Sequence, residues 1–496
     1  MLNRLSARQP NQSPLRLRAV RLTTLAILLA FANLTFVWAQ SATQKSEVPD
    51  ADETIRALAE SLKDSDARVR YSAAEALVAM GPDAEAAVPA LVDALKDSDA
   101  GVRGAAATAL GAVGSDAKAA VLALAGALKD SEASVRWSAA GALRAIGPDA
   151  KAAVPALVEA LKDASQYVRR AVAGALGSIG PVAVPALVEA LKDSDARVRL
   201  SAAGALGAIG PGAKTAVPAL AEALKDPAAG VRGAAAVALG AVGPDAKAAV
   251  PALVEALKDP DANIRWSTAG ALGAIGPDAK TAVPALAVAL KDANAGVRGA
   301  AAGALGAIGP QAVPALLEAL KHSDAGVRWS AASALGAIGP GAKAAVPALA
   351  DALNDSNAGV REFAAAALTA IGADALPALV QALKNPDVAV RWSAATALGA
   401  IGPEALPALV EALKDSDASV RRSATSALGA VGPVAVPALV EALKDSDASV
   451  RGTAAAALGA VGPDAKAAIP ALMEARKDSD GYVRSAAVEA LNAIGL

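Results

Sequence analysis

Apolar residues recur three and four positions apart along almost the whole chain, in two alternating kinds of block. One reads Val-Pro-Ala-Leu-Val-Glu-Ala-Leu-Lys-Asp, as at Val184–Asp193. The other runs from an Asp through Val-Arg-Trp-Ser-Ala-Ala-Ser-Ala-Leu-Gly-Ala-Ile to Gly-Pro, as at Asp324–Pro340. That spacing predicts helices with one buried stripe. Nothing alternates with a period of two, and Ala, Leu, Glu and Lys dominate, so strands find no support. Pro suits the first turn of the first helix. The Asp-Ser-Asp cluster between the blocks breaks the chain and supplies an N-cap for the second helix, which Gly-Pro stops.

The Arg of a Val-Arg or Ile-Arg pair marks each unit, from Arg70, Arg103 and Arg136 to Arg451 and Arg484, in steps of 33 or 30 residues. Gly180–Ala196 and Gly432–Ala448 are identical. The 30-residue units shorten the stretch before the first helix, and three residues are close to one helical turn, so the deletion is expected to trim the front of that helix and keep its register. An all-α chain of about fourteen two-helix repeats over residues 54–496 follows, an α-solenoid. Its ends are polar, as array ends must be: Glu53–Asp64 replaces the Pro-containing front, Arg476 stands where other repeats have Leu, and Glu489 and Asn492 mark the final helix.

Ankyrin and tetratricopeptide repeats have similar periods, but their T-P-L-H-x-A and W-x-x-L-G-x-x-Y signatures are absent. Leu191–Gly210 matches L-x-D-x-[DE]-x-x-V-R-x-x-A-x-x-A-L-G-x-[IV]-G, and so resembles the short HEAT-like repeat of the phycobilin-lyase type. The resemblance covers residues 54–496 and implies a superhelix whose second helices line the concave side. Such repeats host many functions. Phycobilin-lyase relatives attach or detach bilins, and deoxyhypusine hydroxylase, built from similar repeats, holds iron with His-Glu motifs. This chain has no His-Glu pair, so a lyase-like or hydroxylase-like enzyme is the alternative reading rather than the leading one, and no cofactor is expected.

Composition narrows the chemistry further. Cysteine is absent and His322 is the single histidine, which excludes disulfides, thiolate nucleophiles, Cys/His metal clusters and His-based triads. His322 replaces the usual Asp of Lys-Asp-Ser-Asp and is expected in a solvent-facing loop. The Asp pairs (Asp97 with Asp99, Asp193 with Asp195, Asp415 with Asp417) suit capping better than calcium, which needs six to eight oxygens. The recurrent Arg is expected to tie repeat to repeat through the Asp cluster or loop carbonyls.

Residues 1–39 differ from the rest. Five arginines and no acid precede the apolar run Leu22–Trp38, which ends in Val-Trp-Ala. That order predicts a secretory signal cleaved after Ala39, with an uncleaved membrane anchor as its rival. Residues 40–53 read as a polar linker. Removing 1–39 leaves 42 basic against 49 acidic residues, a net charge of −7, which disfavours nucleic acid as a partner.

On a helical wheel with Val327 at zero, Ala331, Ala334, Leu335 and Ile338 share an arc of about 100°. Opposite lie offsets two, six and nine: Trp329, Ser333 and Gly336. Offset nine is Gly in ten of fourteen repeats, which is expected to let neighbouring backbones approach. Offset two varies, and holds all four tryptophans that follow the leader. The candidate site residues are therefore Tyr71, Trp137, Arg170, Trp266, Trp329, Glu362, Trp392 and Arg422. Two readings of the rings stay open: packing on a neighbouring small residue, or anchoring an extended guest. The expected function is an exported, non-catalytic scaffold that binds a protein or peptide partner on the concave face.

Overall fold

The computed structural model describes residues 50–496; residues 1–39, where a secretory signal is expected, and residues 40–49 of the expected linker lie outside the described residues. Fourteen pairs of α-helices run from Ala51–Ser61 to Gly481–Ile494, and no strand occurs among the described residues. The first helix begins at Ala51, three residues before the expected linker boundary, because Asp52 and Glu53 in its first turn favour a helix N-terminus. The chain divides into two compact units, one ending at Ala219 and the other starting at Leu220. Both are built from the same joints.

In a typical repeat the first helix has seven residues, Val184–Ala190, and the second fourteen, Ala196–Ile209. A 3₁₀ segment precedes the first helix. It spans Gly147–Ala153 in a 33-residue repeat and Pro181–Ala183 in a 30-residue one. The three-residue deletion therefore leaves the α-helix whole and removes one 3₁₀ turn, which has 3.0 residues. The longer segment buries Ala150 and Ala153, three apart, where the shorter buries Ala183 alone.

The glycines that end the second helices, Gly81 to Gly462, have φ between 60° and 107° and ψ between −132° and −156°. Gly114 and Gly372 adopt the same angles with Ser115 and Ala373 after them, so the turn itself demands glycine whether or not proline follows.

Leu91, Leu157 and Leu187 of the first helices are fully buried, each worth roughly 2 kcal/mol of transferred apolar surface. They meet the Val, Ala and Leu stripe of the second helices. That stripe is wider than the wheel indicates: Ser330 and Ala332 are buried beside Val327, Ala331, Ala334 and Leu335, while Ile338 is only half-buried. Within each unit, second helices pack against the first helices of their own repeats and also against one another. Offset nine lies in that second interface. A β-carbon on Gly240 would stand 3.2 Å from Cα of Ala271, and one on Gly399 would stand 2.8 Å from Cα of Ala427. The glycines are there for close approach.

Ion pairs close the joints between repeats. Arg70 donates from Nε to Asp97 Oδ2 at 2.6 Å and from Nη2 to Asp97 Oδ1 at 2.8 Å, while its Nη1 donates to the carbonyls of Asp64 and Ser65. The same fork joins Arg103 to Asp130, Arg136 to Asp163, Arg232 to Asp259, Arg265 to Asp292, Arg328 to Asp355, Arg391 to Asp415, Arg421 to Asp445 and Arg451 to Asp478. These nine forks each hold a repeat to the one that follows it, as the recurrence of the Arg suggests. The two aspartates of each loop have different partners. Asp97 accepts from Arg70 and from the N–H of Asp99, and Asp99 caps the helix by accepting from Val102 N–H. Asp193 pairs with Lys162 at 3.3 Å. His322 and Asn385 stand where the first aspartate belongs, and each still orders its own turn. His322 Nδ1 accepts from Asp324 N–H, and Asn385 Oδ1 accepts from Asp387 N–H. His322 is thus half-buried and engaged rather than a free loop residue.

Candidate functional site

Offset two lies on the side of a second helix away from its core stripe, because offsets zero, four, seven and eight are taken by the core. All eight sequence-derived candidates are exposed: Tyr71, Trp137 and Arg170 in the first unit, and Trp266, Trp329, Glu362, Trp392 and Arg422 in the second. Exposure of the tryptophans runs from 37% for Trp329 to 54% for Trp137 and Trp266. Neither of the two readings of a ring is sufficient alone, since each side chain is half covered and half open.

The covering comes from the following repeat. Cδ1 of Trp266 lies 3.6 Å from where a β-carbon on Gly296 would stand, Cδ1 of Trp329 lies 3.5 Å from that point on Gly359, and Cδ2 of Tyr71 lies 3.5 Å from that point on Gly101. These glycines all sit one residue before the Val that starts the next buried stripe. Ring over glycine is an arrangement made by two consecutive repeats, and the last joint reverses it: Tyr482, at the position before Val483, covers Gly452 at offset two. Trp329 has a second neighbour, Phe363, with ring centroids 4.8 Å apart and planes at 70°, an edge-to-face pair. That contact accounts for its being the least exposed tryptophan of the row.

In the second unit the rings of Trp266, Trp329 and Trp392 occupy alternate repeats. Beside them lie small uncharged residues, Gly270, Gly299, Gly303 and Ser333, and the only charged groups at offset two are Glu362 and Arg422. Such a surface offers apolar area and a backbone-level floor. Sequence reasoning found the rings and missed their glycine seats, Phe363, and the engagement of His322. A partial signal for the seats does exist, since Tyr71, Trp266 and Trp329 are each followed thirty residues later by a glycine, Gly101, Gly296 and Gly359, whereas Tyr167 and Ser419 stand at the equivalent place after Trp137 and Trp392.

A family model described as HEAT repeats matches the chain in eight overlapping windows, 55–144, 88–163, 121–203, 154–240, 217–295, 283–369, 346–429 and 406–492. Among curated proteins none is significantly similar. Solved structures share the fold at low identity. The Kap95:Nup1 complex matches with a TM-score of 0.51 and 16% identity over 98% of this chain and 71% of that chain; Kap95p is yeast importin-β. Kap121p bound to Pho4p matches with 0.51 and 16% over 91% of this chain and 63% of that chain, so this chain spans under two thirds of that protein.

Proposed function

Since the chain belongs to the HEAT-repeat family, we propose that it is a non-catalytic scaffold that holds a protein or peptide partner against the outward face of its second helices. The observation that supports this reading most is the row of half-exposed rings at Trp266, Trp329 and Trp392. A packing role alone would be served by smaller residues, for Gly233, Gly299 and Gly452 occupy the same offset. Exposed tryptophan seated on a fixed neighbour is pre-ordered, which lowers the entropic cost of binding. The solved relatives in complex with Nup1 and Pho4p agree with a solenoid that takes protein partners.

We place the scaffold outside the cytoplasm, on the basic-then-apolar order of residues 1–39, and the finer likeness to phycobilin-lyase-type repeats on Leu191–Gly210. Protein recovered from its native host should begin at Gln40; a chain that retains residues 1–39 would overturn the cleavage. For the binding role, the test is co-purification from the exported fraction with the wild type and with a Trp266→Ala, Trp329→Ala, Trp392→Ala variant. The variant should keep its helicity and lose the partner. Undiminished capture by it would sink the reading.

A further inference from the structure

Arg298 departs from most other joints of the second unit. Its Nη1 donates to the carbonyls of Asp292 and Ala293 at 2.7 and 3.1 Å, as its counterparts do to theirs. The carboxylate that Nε and Nη2 grip in six of the eight joints of that unit is missing, because the next repeat carries His322 in place of aspartate, as the repeat after Arg361 carries Asn385. The imidazole replaces only one function of that aspartate, accepting from Asp324 N–H at 3.1 Å. Among the described residues no carboxylate forms an ion pair with Arg298. Asp324, on the adjoining turn, accepts from the N–H groups of Gly326 and Val327 through its Oδ1.

The freed end of the guanidinium occupies a specific place. Nη2 and Nε lie 3.4 and 3.6 Å from where a β-carbon on Gly326 would stand. Gly326 is the residue before Val327, and so the counterpart of Gly296 and Gly359, the seats of Trp266 and Trp329. Gly299 at offset two of the intervening repeat leaves that seat without a ring. Three successive repeats therefore present ring, guanidinium, ring over three equivalent glycines. Nε and Nη2 of Arg298 form no ion pair among the described residues, although Asp324 Oδ1, engaged by the N–H groups of Gly326 and Val327, lies 2.9 Å from the same Gly326 β-position, and the guanidinium stands between two apolar anchors.

We infer that the row Trp266, Arg298, Trp329 reads an acidic residue flanked by two apolar ones on an extended peptide. Charge complementarity fixes the central group, since a guanidinium with Nε and Nη2 available takes a carboxylate bidentately, as Arg265 and Arg328 in the joints on either side do. Packed helices are roughly 8–10 Å apart, a distance an extended chain covers in about three residues at ~3.3 Å each. The matching motif is apolar-x-x-Asp/Glu-x-x-apolar. Glu362 is placed one repeat beyond Trp329, outside this row. The inference rests on the protein-binding reading above and names the chemistry of its partner.

The test uses the peptide Phe-Ser-Gly-Glu-Gly-Ser-Phe, acetylated and amidated, its Glu→Gln counterpart, and the full chain. Calorimetry at low salt should give about tenfold tighter binding of the Glu peptide, a difference that shrinks as salt screens it. The His322→Asp variant restores the aspartate of the other joints, so it should draw Arg298 into an ion pair and abolish the preference while raising thermal stability. Arg298→Gln should also abolish the preference. Equal binding of the two peptides by the wild type, binding of neither, or a preference that survives in both variants would overturn the inference. Equal binding that is lost with Trp266→Ala and Trp329→Ala would remove the acidic motif and leave the protein-binding reading standing.

Discussion

Arg328 and Asp355, 27 residues apart in the chain, meet through two parallel hydrogen bonds, Nε to Oδ2 at 2.6 Å and Nη2 to Oδ1 at 2.7 Å. Asp355 also accepts from Asn357 N–H at 2.9 Å, so one carboxylate joins two repeats and orders its own turn. Asp355→Asn keeps the local bond, as Asn385 does in its repeat, and removes the ion pair. It should cost about 2 kcal/mol, the scale for a partly buried charge-assisted pair. Asp355→Ala removes both and should cost about 1 kcal/mol more. Denaturant midpoints of the two variants check the division, and amide exchange should rise first in the helices Ala325–Ile338 and Ala358–Ile371.

Two glycines of the second helices should respond to alanine with opposite signs. A β-carbon on Gly399 would fall 2.6 Å from Cβ and 2.8 Å from Cα of Ala427, and backbone cannot yield cheaply. A helical alanine gains about 1 kcal/mol over glycine, and the overlap costs roughly 1–3 kcal/mol, so Gly399→Ala should be destabilising. Gly303 faces solvent with nothing within 4 Å of its β-position. Gly303→Ala should therefore stabilise by up to about 1 kcal/mol. Thermal unfolding of the pair distinguishes close packing from an incidental run of small residues.

The buried stripe was legible because it depends on spacing within one helix: Val327, Ala331 and Leu335 follow from a period of 3.6 and nothing else. The glycines at offset nine were legible for a similar reason, as a recurrent propensity cost that packing has to offset. The 3₁₀ segment was not, since Ala150 and Ala153 are three apart and that spacing also fits an α-helix. Ser330 and Ala332 were missed because a wheel assumes one interface, whereas the helix Ala325–Ile338 packs on its own first helix and on the second helices Ala295–Ile308 and Ala358–Ile371. The glycine seats lay deeper still. Gly359 acquires its meaning only from Trp329, thirty residues earlier, and a local window cannot couple the two.

Thr268 takes a core position held by Ala or Val in the other repeats, and its Oγ1 is fully buried with no hydrogen-bond partner. Thr425, also buried, donates to the carbonyl of Arg421 at 2.8 Å and so escapes that cost. An unsatisfied buried hydroxyl costs about 1–3 kcal/mol. Thr268→Val should thus stabilise the second unit by about 1 kcal/mol, since Val172 already fits the equivalent place in the first. Thr425→Val, which removes a made bond, should be neutral or mildly destabilising. Urea midpoints of the two variants, measured side by side, give the comparison.

The joints should also set the response to acid. The Arg451 guanidinium, hydrogen-bonded to Asp478, holds that carboxyl down to about 2. Arg70, Arg103, Arg265 and Arg328 hold Asp97, Asp130, Asp292 and Asp355 below the usual carboxylate value in the same way. In the unfolded chain these groups titrate near ~3.9. The folded state therefore binds fewer protons between the two values, and the stability they contribute is complete above about pH 4 and lost as pH falls toward about 2. The melting temperature should be flat from pH 7 to 5 and then fall steeply. Asp478→Asn supplies the control: it should melt below the wild type at pH 7, and the two curves should converge as pH falls through about 2, where the wild-type aspartate itself takes up its proton. A constant gap across that range would mean that Asp478 acts through packing and not through its charge.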